Sequence, residues 1–203
     1  MVSDQNSPKI ILASASAIRA EILTNAGIKF SVSPSFVNEA KIKEQSLRQG
    51  LNIPELVEKL ALAKAAALVL GNDEIIIGAD QILEFGGSVY DKPKSVDEAR
   101  TRLLEMRGQE HRLVGAVCIL QKGHKPWCYI STTKLLMRNF SDDFLKDYLA
   151  QEREALLTCV GAYKFEGRGA LLFDKVEGDF FSILGLSLLP LLAELRRRNA
   201  VVA

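Results

Sequence analysis

Two carboxylates and three cations carry the chemistry that this sequence of 203 residues could support. The carboxylates are Glu39 and Asp80, and the cations are Arg19, Lys64 and Lys92. Carboxylate oxygens, in a chain with few candidate nitrogen or sulfur ligands, favour Mg²⁺ or Mn²⁺. Cationic side chains bind phosphate oxygens through charge-assisted hydrogen bonds. The set predicts attack by water on phosphorus, with a metal to neutralise the developing charge and a carboxylate to accept the proton.

Asp80 is the acid that the sequence places best for this role. It follows three consecutive isoleucines and then Gly78-Ala79, and the isoleucines indicate a strand that is buried on both faces. In an open α/β sheet, ligands bind beyond the carboxyl ends of the strands. We therefore expect Asp80 to lie at the end of this strand, where it could bind a metal or take a proton from water. The alternative is an aspartate that only begins a loop.

A phosphate-binding loop is predicted between the first strand and the first helix. Ser14-Ala15-Ser16 follows a predicted strand over 9–13 and precedes a predicted helix over 17–25. Free N–H groups and the helix dipole favour an anion at such a position. Arg19 lies in the first turn, where a cation opposes the dipole, and this suggests a ligand charge nearby. Ordinary capping of the helix by either serine is the alternative.

The composition argues against several other classes of protein. Lys and Arg number 26 and Asp and Glu number 25, which gives a net charge of +1. Because proteins that bind nucleic acid polymers usually have a basic excess, we expect no such partner here. The chain lacks the P-loop, dinucleotide-binding and esterase motifs. Its two histidines argue against a zinc site rich in histidine.

The cysteines and the apolar segments predict a cytoplasmic protein without a membrane partner. Cys118, Cys128 and Cys159 are odd in number and lack metal-type spacing, which argues against a disulfide framework and favours thiols buried in β segments. A reducing cytosol is the simplest setting for them. We expect no signal peptide. The longest apolar stretch, 60–70, contains Lys64 and is too short to span a membrane.

Alternating strands and helices predict an α/β fold with a mixed central sheet flanked by helices, and two lobes with a cleft between them. We expect a single domain over 1–203, with residues 1–8 as a flexible tail. Segment 38–50 is predicted as a loop or an exposed helix, and 175–179 as a turn. Predicted strands are 9–13, 29–33, the isoleucine run 75–77 that ends in Gly78, 111–121, 127–140 and 171–173, with a hairpin around Gly86-Gly87. Predicted helices are 17–25, 52–70, 95–107, a short one after Ser141, and 187–198.

The order of several short motifs resembles the Maf family of nucleoside triphosphate pyrophosphatases. The segment 11–16 followed by Arg19 is similar to the family opening L-A-S-x-S-P-x-R, and 78–81 is similar to G-[AS]-D-[TQ]. These matches span nearly the whole chain in the right order. Further matches are Val37-Asn38-Glu39, Leu62-Ala63-Lys64-Ala65, Lys92-Pro93, Gly108 with His111, Gly161-Ala162-Tyr163, Glu166-Gly167, Gly178-Asp179 and Gly185-Leu186-Ser187-Leu188.

The resemblance implies a fold related to the inosine triphosphate pyrophosphatases, and a function. Family members cleave a nucleoside triphosphate between the α and β phosphates with a divalent metal, and they often form homodimers. They are linked to house-cleaning of modified nucleotides and to division arrest. By motif position, Asp80 would be the general base or a metal-linked acid, and Glu39 would be a metal ligand. Ser14, Arg19, Lys64 and Lys92 would hold phosphates.

The resemblance also implies a substrate. Members with Gln after the central aspartate and Glu in the late Glu-Gly loop resemble 7-methyl-GTP enzymes, and this chain has Gln81 and Glu166. Ile18 occupies a position that helps to set base preference in the family. An amide and a carboxylate suit guanine, which offers N–H donors and a carbonyl acceptor.

Two departures from the family pattern keep a second function open. Ala17 replaces the proline after the second serine, and Asn38 replaces an aspartate beside Glu39. The loss of one negative charge favours slow catalysis or altered specificity. The alternative function is therefore a nucleotide-sensing regulator of cell division with weak or no catalysis.

Overall fold

The structure, a computed structural model, describes residues 7–201 and has a mixed α/β architecture. None of its helices combines the length and the apolar composition needed to cross a bilayer. Its strands are β1 (Lys9–Leu12), β2 (Phe30–Val32), β3 (Glu74–Phe85), β4 (Ser88–Tyr90), β5 (Glu110–Gln121), β6 (Trp127–Met137) and β7 (Phe173–Glu177). Its α-helices are α1 (Ala17–Asn25), α2 (Glu39–Arg48), α3 (Ile53–Ala66), α4 (Val96–Met106), α5 (Asp142–Glu152), α6 (Phe180–Ile183) and α7 (Leu188–Arg197).

The strands form one seven-stranded sheet in the order β2-β1-β3-β5-β6-β7, with β4 paired to β3. Strand β1 runs parallel to both of its neighbours, β2 and β3. Strands β4 and β7 run antiparallel to β3 and β6. The prediction of a mixed sheet is therefore confirmed.

Local capping signals explain why most helices begin where the sequence predicts. Asn52 accepts a hydrogen bond from the Glu55 amide, and the Glu55 carboxylate accepts one from the Asn52 amide, which together form a capping box at α3. The Ser95 and Ser141 hydroxyls cap α4 and α5 by accepting hydrogen bonds from the amides of Glu98 and Phe144. Helix α3 ends at Ala66, earlier than the predicted end near Leu70.

The central strand is longer than predicted, and Asp80 lies inside it. Strand β3 continues from Glu74 through Asp80 to Phe85, so the expectation that Asp80 follows the end of the strand is wrong. The polar pair at 80–81 only interrupts the apolar pattern, because Ile82 and Leu83 are buried again. Leu83–Phe85 then pairs with β4, which confirms the predicted hairpin.

The segment before α7 was predicted wrongly. A strand was expected over 171–173 and a turn over 175–179, whereas the structure has a 3₁₀ helix at Arg168–Leu172 followed by β7. The charged sequence of β7 resembles a turn when it is considered alone. Its residues pair with β6, as in the match of Leu135 with Val176, so long-range pairing overrides the local preference.

Residue contacts divide the chain into two units, which we describe separately. The first contains the residues up to Gln81, Gly115–Ser131 and those from Gly185 onward. The second contains Ile82–Val114 and Thr132–Leu184. The predicted tail, 1–8, lies outside the described residues except for positions 7 and 8. The single domain with a cleft between two lobes stays a prediction.

A disulfide between Cys118 and Cys128 joins β5 to β6 in the first unit. The expectation of three separate thiols is therefore wrong, and Cys159 alone is free. The Cα atoms of the bonded pair lie 4.1 Å apart on neighbouring strands. Counting cysteines could not reveal this bond, because its formation depends on how the two strands align.

His111 is part of the aromatic core of the second unit and is 1% exposed. Its Nε2 lies 2.7 Å from the Tyr163 hydroxyl, and the ring of Phe173 packs against it. Its Nδ1 has no hydrogen-bond partner among the described residues. Burial lowers the pKa of His111 to about 4, because a buried imidazolium would lose its hydration.

We predict that His111 makes the free energy of unfolding fall as the pH drops from its ordinary pKa of 6.5 towards its folded pKa of about 4. In this window His111 takes up a proton in the unfolded chain but not in the folded chain, so the unfolded state is favoured as the pH falls. Across the whole window the free energy of unfolding falls by roughly 3 kcal/mol. Urea unfolding across this window should show a weaker pH dependence in His111→Gln. The exposed His124→Gln serves as the control, and equal slopes for wild type and His111→Gln would contradict the prediction.

Candidate functional site

The ammonium group of Lys64 lies between two carboxylates in the first unit. Its Nζ is 2.6 Å from Oδ1 of Asp80 and 2.9 Å from Oε1 of Glu39. The side chains of Lys64 and Asp80 are 12% and 9% exposed, whereas that of Glu39 is 45% exposed. Because groups that leave water lose hydration, each member of the buried Lys64–Asp80 pair compensates for the burial of the other.

Close packing of α3 on β3 brings Lys64 to Asp80. A Cβ atom added at Gly78 would lie 2.2 Å from the carbonyl oxygen of Ala61 and 2.8 Å from the amide nitrogen of Ala65. Both alanines are fully buried. Small residues on the helix and on the strand therefore let the two backbones approach, and Lys64 extends from this contact.

Glu39 is positioned as the first residue of α2. Of the two predictions for this segment, a loop or an exposed helix, the helix is correct. Asn38 caps it, because its side-chain oxygen accepts a hydrogen bond of 3.0 Å from the Lys41 amide. Helix α2 thus holds the Glu39 carboxylate towards Lys64, while the Asn38 oxygen binds the backbone.

Arg19 is buried and joins three segments of the first unit. Its Nε donates to the carbonyl oxygen of Gly185 at 2.8 Å. Its Nη1 donates to the carbonyl oxygen of Ala79 at 2.8 Å and to Oγ of Ser14 at 3.1 Å. Burial lowers the pKa of Arg19, and the negative charges of Asp80 and Glu39 partly offset this effect. Arg19 therefore fixes the loop after β1 and the turn before α7 to the strand that carries Asp80.

The serines before α1 are not used as side-chain caps. Ser16 occupies the N-cap position without a side-chain hydrogen bond. Ser14 accepts hydrogen bonds from Arg19 and from the Ser16 amide, at 3.1 and 3.2 Å. The alternative of ordinary capping is therefore wrong, and the Ser14 hydroxyl belongs to the Arg19 network.

Gly185 is a residue of this network for which no role was predicted. Its backbone has a φ of +98°, a conformation that favours glycine. A Cβ added there would lie 3.5 Å from Nε and Nη2 of Arg19 and 3.7 Å from Oε1 of Gln81. The signal in the sequence was the motif at 185–188.

Ile18, on α1, and Gln81, after Asp80 on β3, are both half-buried.

Lys92 and Glu166 lie in the second unit, and both are exposed. The charges of both side chains affect the pKa of the free Cys159 thiol, which is raised chiefly by burial. Within that balance, the Glu166 charge raises the pKa of Cys159 and the Lys92 charge lowers it. The charges of these two predicted residues therefore have opposite effects on one thiol of the second unit.

Glu39 and Asp80 fit a small divalent cation by their chemistry. Oxygens of both acids lie within 3 Å of one nitrogen, so a cation that replaced the ammonium would meet the same oxygens. Within residues 7–201, no cluster of three or more His, Cys, Asp and Glu side chains forms a complete metal cage. Mg²⁺ commonly uses one or two carboxylates together with substrate phosphates. The pair therefore suits a metal that arrives with, or is completed by, a polyphosphate.

Comparison with known proteins supports the resemblance seen in the motifs. A family described as "Maf-like protein" matches residues 9–198. A Granulibacter bethesdensis protein named nucleoside triphosphate pyrophosphatase is 45% identical over 95% of this chain and 98% of its own length. A Rhizobium meliloti protein named 7-methyl-GTP pyrophosphatase is 38% identical over 97% of this chain and 99% of its own length. The match to a crystal structure of a dITP/XTP pyrophosphatase from Mycobacterium abscessus covers 65% of this chain and 74% of that chain, at 12% identity and a TM-score of 0.36.

We predict that Gly78→Ala lowers the free energy of unfolding by about 1–3 kcal/mol, because the added methyl group forces α3 away from β3. Denaturant unfolding measures this change. Gly167→Ala is the matched control, since its added Cβ would meet its nearest atom at 3.8 Å. Equal stability of the two variants would show that α3 and β3 are not in tight contact at Gly78.

Proposed function

This chain belongs to the Maf family, and we propose that it is a metal-dependent nucleoside triphosphate pyrophosphatase. The proposed reaction hydrolyses a nucleoside triphosphate to a monophosphate and pyrophosphate. The observation that carries the proposal is the ammonium of Lys64 held between Asp80 and Glu39, at 2.6 and 2.9 Å. This arrangement combines acids that can bind a metal or accept a proton with a cation that can bind phosphate.

Asp80 is proposed as the catalytic acid–base group. Its side chain is 9% exposed, so little bulk water competes for its oxygens. An ionised carboxylate there can accept the proton of the attacking water as the bond to phosphorus forms. Glu39 and Asp80 would hold the metal, Mg²⁺ or Mn²⁺, which when bound supplies charge neutralisation for the phosphate oxygens.

Ser14, Arg19, Lys64 and Lys92 are proposed to hold the phosphates. Two nitrogens of Arg19 already bind protein acceptors, whereas Nη2 has no acceptor among the described residues and is available to a phosphate. A guanidinium fixed in this way presents its remaining donor in a defined direction. The ammonium of Lys64 has three donors, of which two face Asp80 and Glu39, so it can offer the third to a phosphate or exchange a carboxylate for a phosphate.

The proposed substrate is a modified purine nucleotide such as 7-methyl-GTP, and the proposed role is house-cleaning. Gln81 directly follows Asp80 on β3, and a Cβ added at Gly185 would lie 3.7 Å from its Oε1, so Gln81 lies near the Arg19 network. Glu166 and Ile18 are the other proposed specificity residues. The Rhizobium meliloti protein named 7-methyl-GTP pyrophosphatase supports this choice. The cytoplasmic location and the homodimer stay predictions.

A nucleotide-sensing regulator of cell division is the second candidate. The observation in its favour is Asn38, whose side-chain oxygen binds the Lys41 amide and adds no charge beside Glu39. A site with fewer negative charges binds a metal less tightly. Such a protein would bind nucleotide and release it intact.

We predict that Asp80→Asn lowers the rate of pyrophosphate release by about two orders of magnitude or more, because the amide cannot accept the proton of water. A coupled assay for pyrophosphate with Mg²⁺ or Mn²⁺ measures the rate. Asp73→Asn, an exposed position directly before β3, is the control and should retain the wild-type rate. If wild type turns over no nucleotide but binds one by calorimetry, the regulator replaces the enzyme.

We predict that 7-methyl-GTP gives a higher kcat/KM than UTP or dTTP. Glu166→Gln should lower kcat/KM for 7-methyl-GTP more than for UTP, because it removes an acceptor for purine N–H groups. Parallel assays of the three nucleotides measure the preference, and Glu154→Gln, an exposed acid in the same unit, is the control. Faster turnover of UTP or dTTP would assign the chain to another substrate class.

A further inference from the structure

The ammonium of Lys64 occupies the carboxylate oxygens that a metal would need. Oδ1 of Asp80 and Oε1 of Glu39 both contact Nζ of Lys64. Among the described residues these two acids are its only ionic partners, and they have no third acid beside them for a metal to use instead. A free divalent cation must therefore displace the ammonium or share the oxygens with it, and like charges at this distance repel strongly.

The two cations of the site differ in their freedom to move. Arg19 is held by Gly185, Ala79 and Ser14 through its Nε and Nη1 groups, so it cannot leave without breaking three hydrogen bonds. Among the described residues, Lys64 has its ion pairs at the mobile end of its side chain, with Asp80 and Glu39. The four-carbon stem of a lysine allows the ammonium to move over a few ångströms at little cost. Lys64 is thus the cation that can exchange partners.

We propose that Lys64 is an internal counter-cation that competes with the divalent metal for Asp80 and Glu39 until a nucleotide is present. The nucleotide phosphates offer the displaced ammonium new acceptors, so metal and nucleotide favour each other's binding. Free metal alone binds weakly, because it must displace an ammonium that has no other acid nearby. This inference rests on the proposed function, since it takes the two acids to be the metal ligands.

The test measures Mn²⁺ binding to the full chain without nucleotide, by electron paramagnetic resonance of the free ion. Lys64→Met and Lys64→Gln should each bind Mn²⁺ about ten-fold more tightly than wild type, or more, because the competing charge is gone. Lys59→Met removes an exposed charge from the same helix and should leave the affinity unchanged. Circular dichroism of each variant, with and without Mn²⁺, establishes that it is folded.

Addition of Glu39→Gln to either Lys64 variant should abolish the gain, which places the bound Mn²⁺ at these oxygens. A Lys64 variant that is unfolded alone and folded by Mn²⁺ gives the same support, because the metal then replaces the missing cation. Folded Lys64 variants that bind Mn²⁺ no more tightly than wild type would overturn the inference, as would a gain that persists with Glu39→Gln. No nucleotide is present, so absence of pyrophosphatase activity would overturn the proposed function without deciding this test.

Discussion

Helix α3 lies so close to strand β3 at Gly78 that no side chain fits between them. An added Cβ would lie 2.2 Å from the carbonyl oxygen of Ala61. This contact sets the distance between the helix that carries Lys64 and the strand that carries Asp80. The 2.6 Å ion pair between Lys64 and Asp80 depends on this contact. The contact of Glu39 with the same ammonium depends on it as well, because it sets where the ammonium lies.

The hydrogen bonds of Arg19 complete this arrangement. Its guanidinium ties the Ser14 loop and the Gly185 turn to the carbonyl of Ala79, the residue directly before Asp80. Burial of a guanidinium is unfavourable unless its donors are satisfied, and here backbone carbonyls and nearby carboxylate charge compensate for the lost hydration. The site therefore has one cation that is fixed by hydrogen bonds to three segments and one, Lys64, whose ammonium is paired with the two acids.

The sequence predicted those features that depend on local chemistry. The starts of three helices could be predicted from their caps, Asn52, Ser95 and Ser141, because capping involves residues only three positions apart. The motif order pointed to Ser14, Arg19, Glu39, Lys64 and Asp80, which the structure brings together in one unit.

Features that depend on long-range pairing were missed. The charged segment of β7 becomes a strand through its pairing with β6, and the bond between Cys118 and Cys128 requires the alignment of β5 with β6. Strand β3 continues through Asp80, and it pairs with β1 before that residue and with β4 after it. The role of Gly185 towards Arg19 joins positions that are 166 residues apart, and no local pattern could show it.

We propose that the site around Lys64 cleaves a nucleoside triphosphate between its α and β phosphates. Phosphorus-31 NMR of the purified chain with Mg²⁺ and 7-methyl-GTP distinguishes the possible products, because each has its own resonance. We expect equal amounts of monophosphate and pyrophosphate, with no diphosphate. Release of orthophosphate with a nucleoside diphosphate, or an unchanged spectrum of the triphosphate, would contradict it.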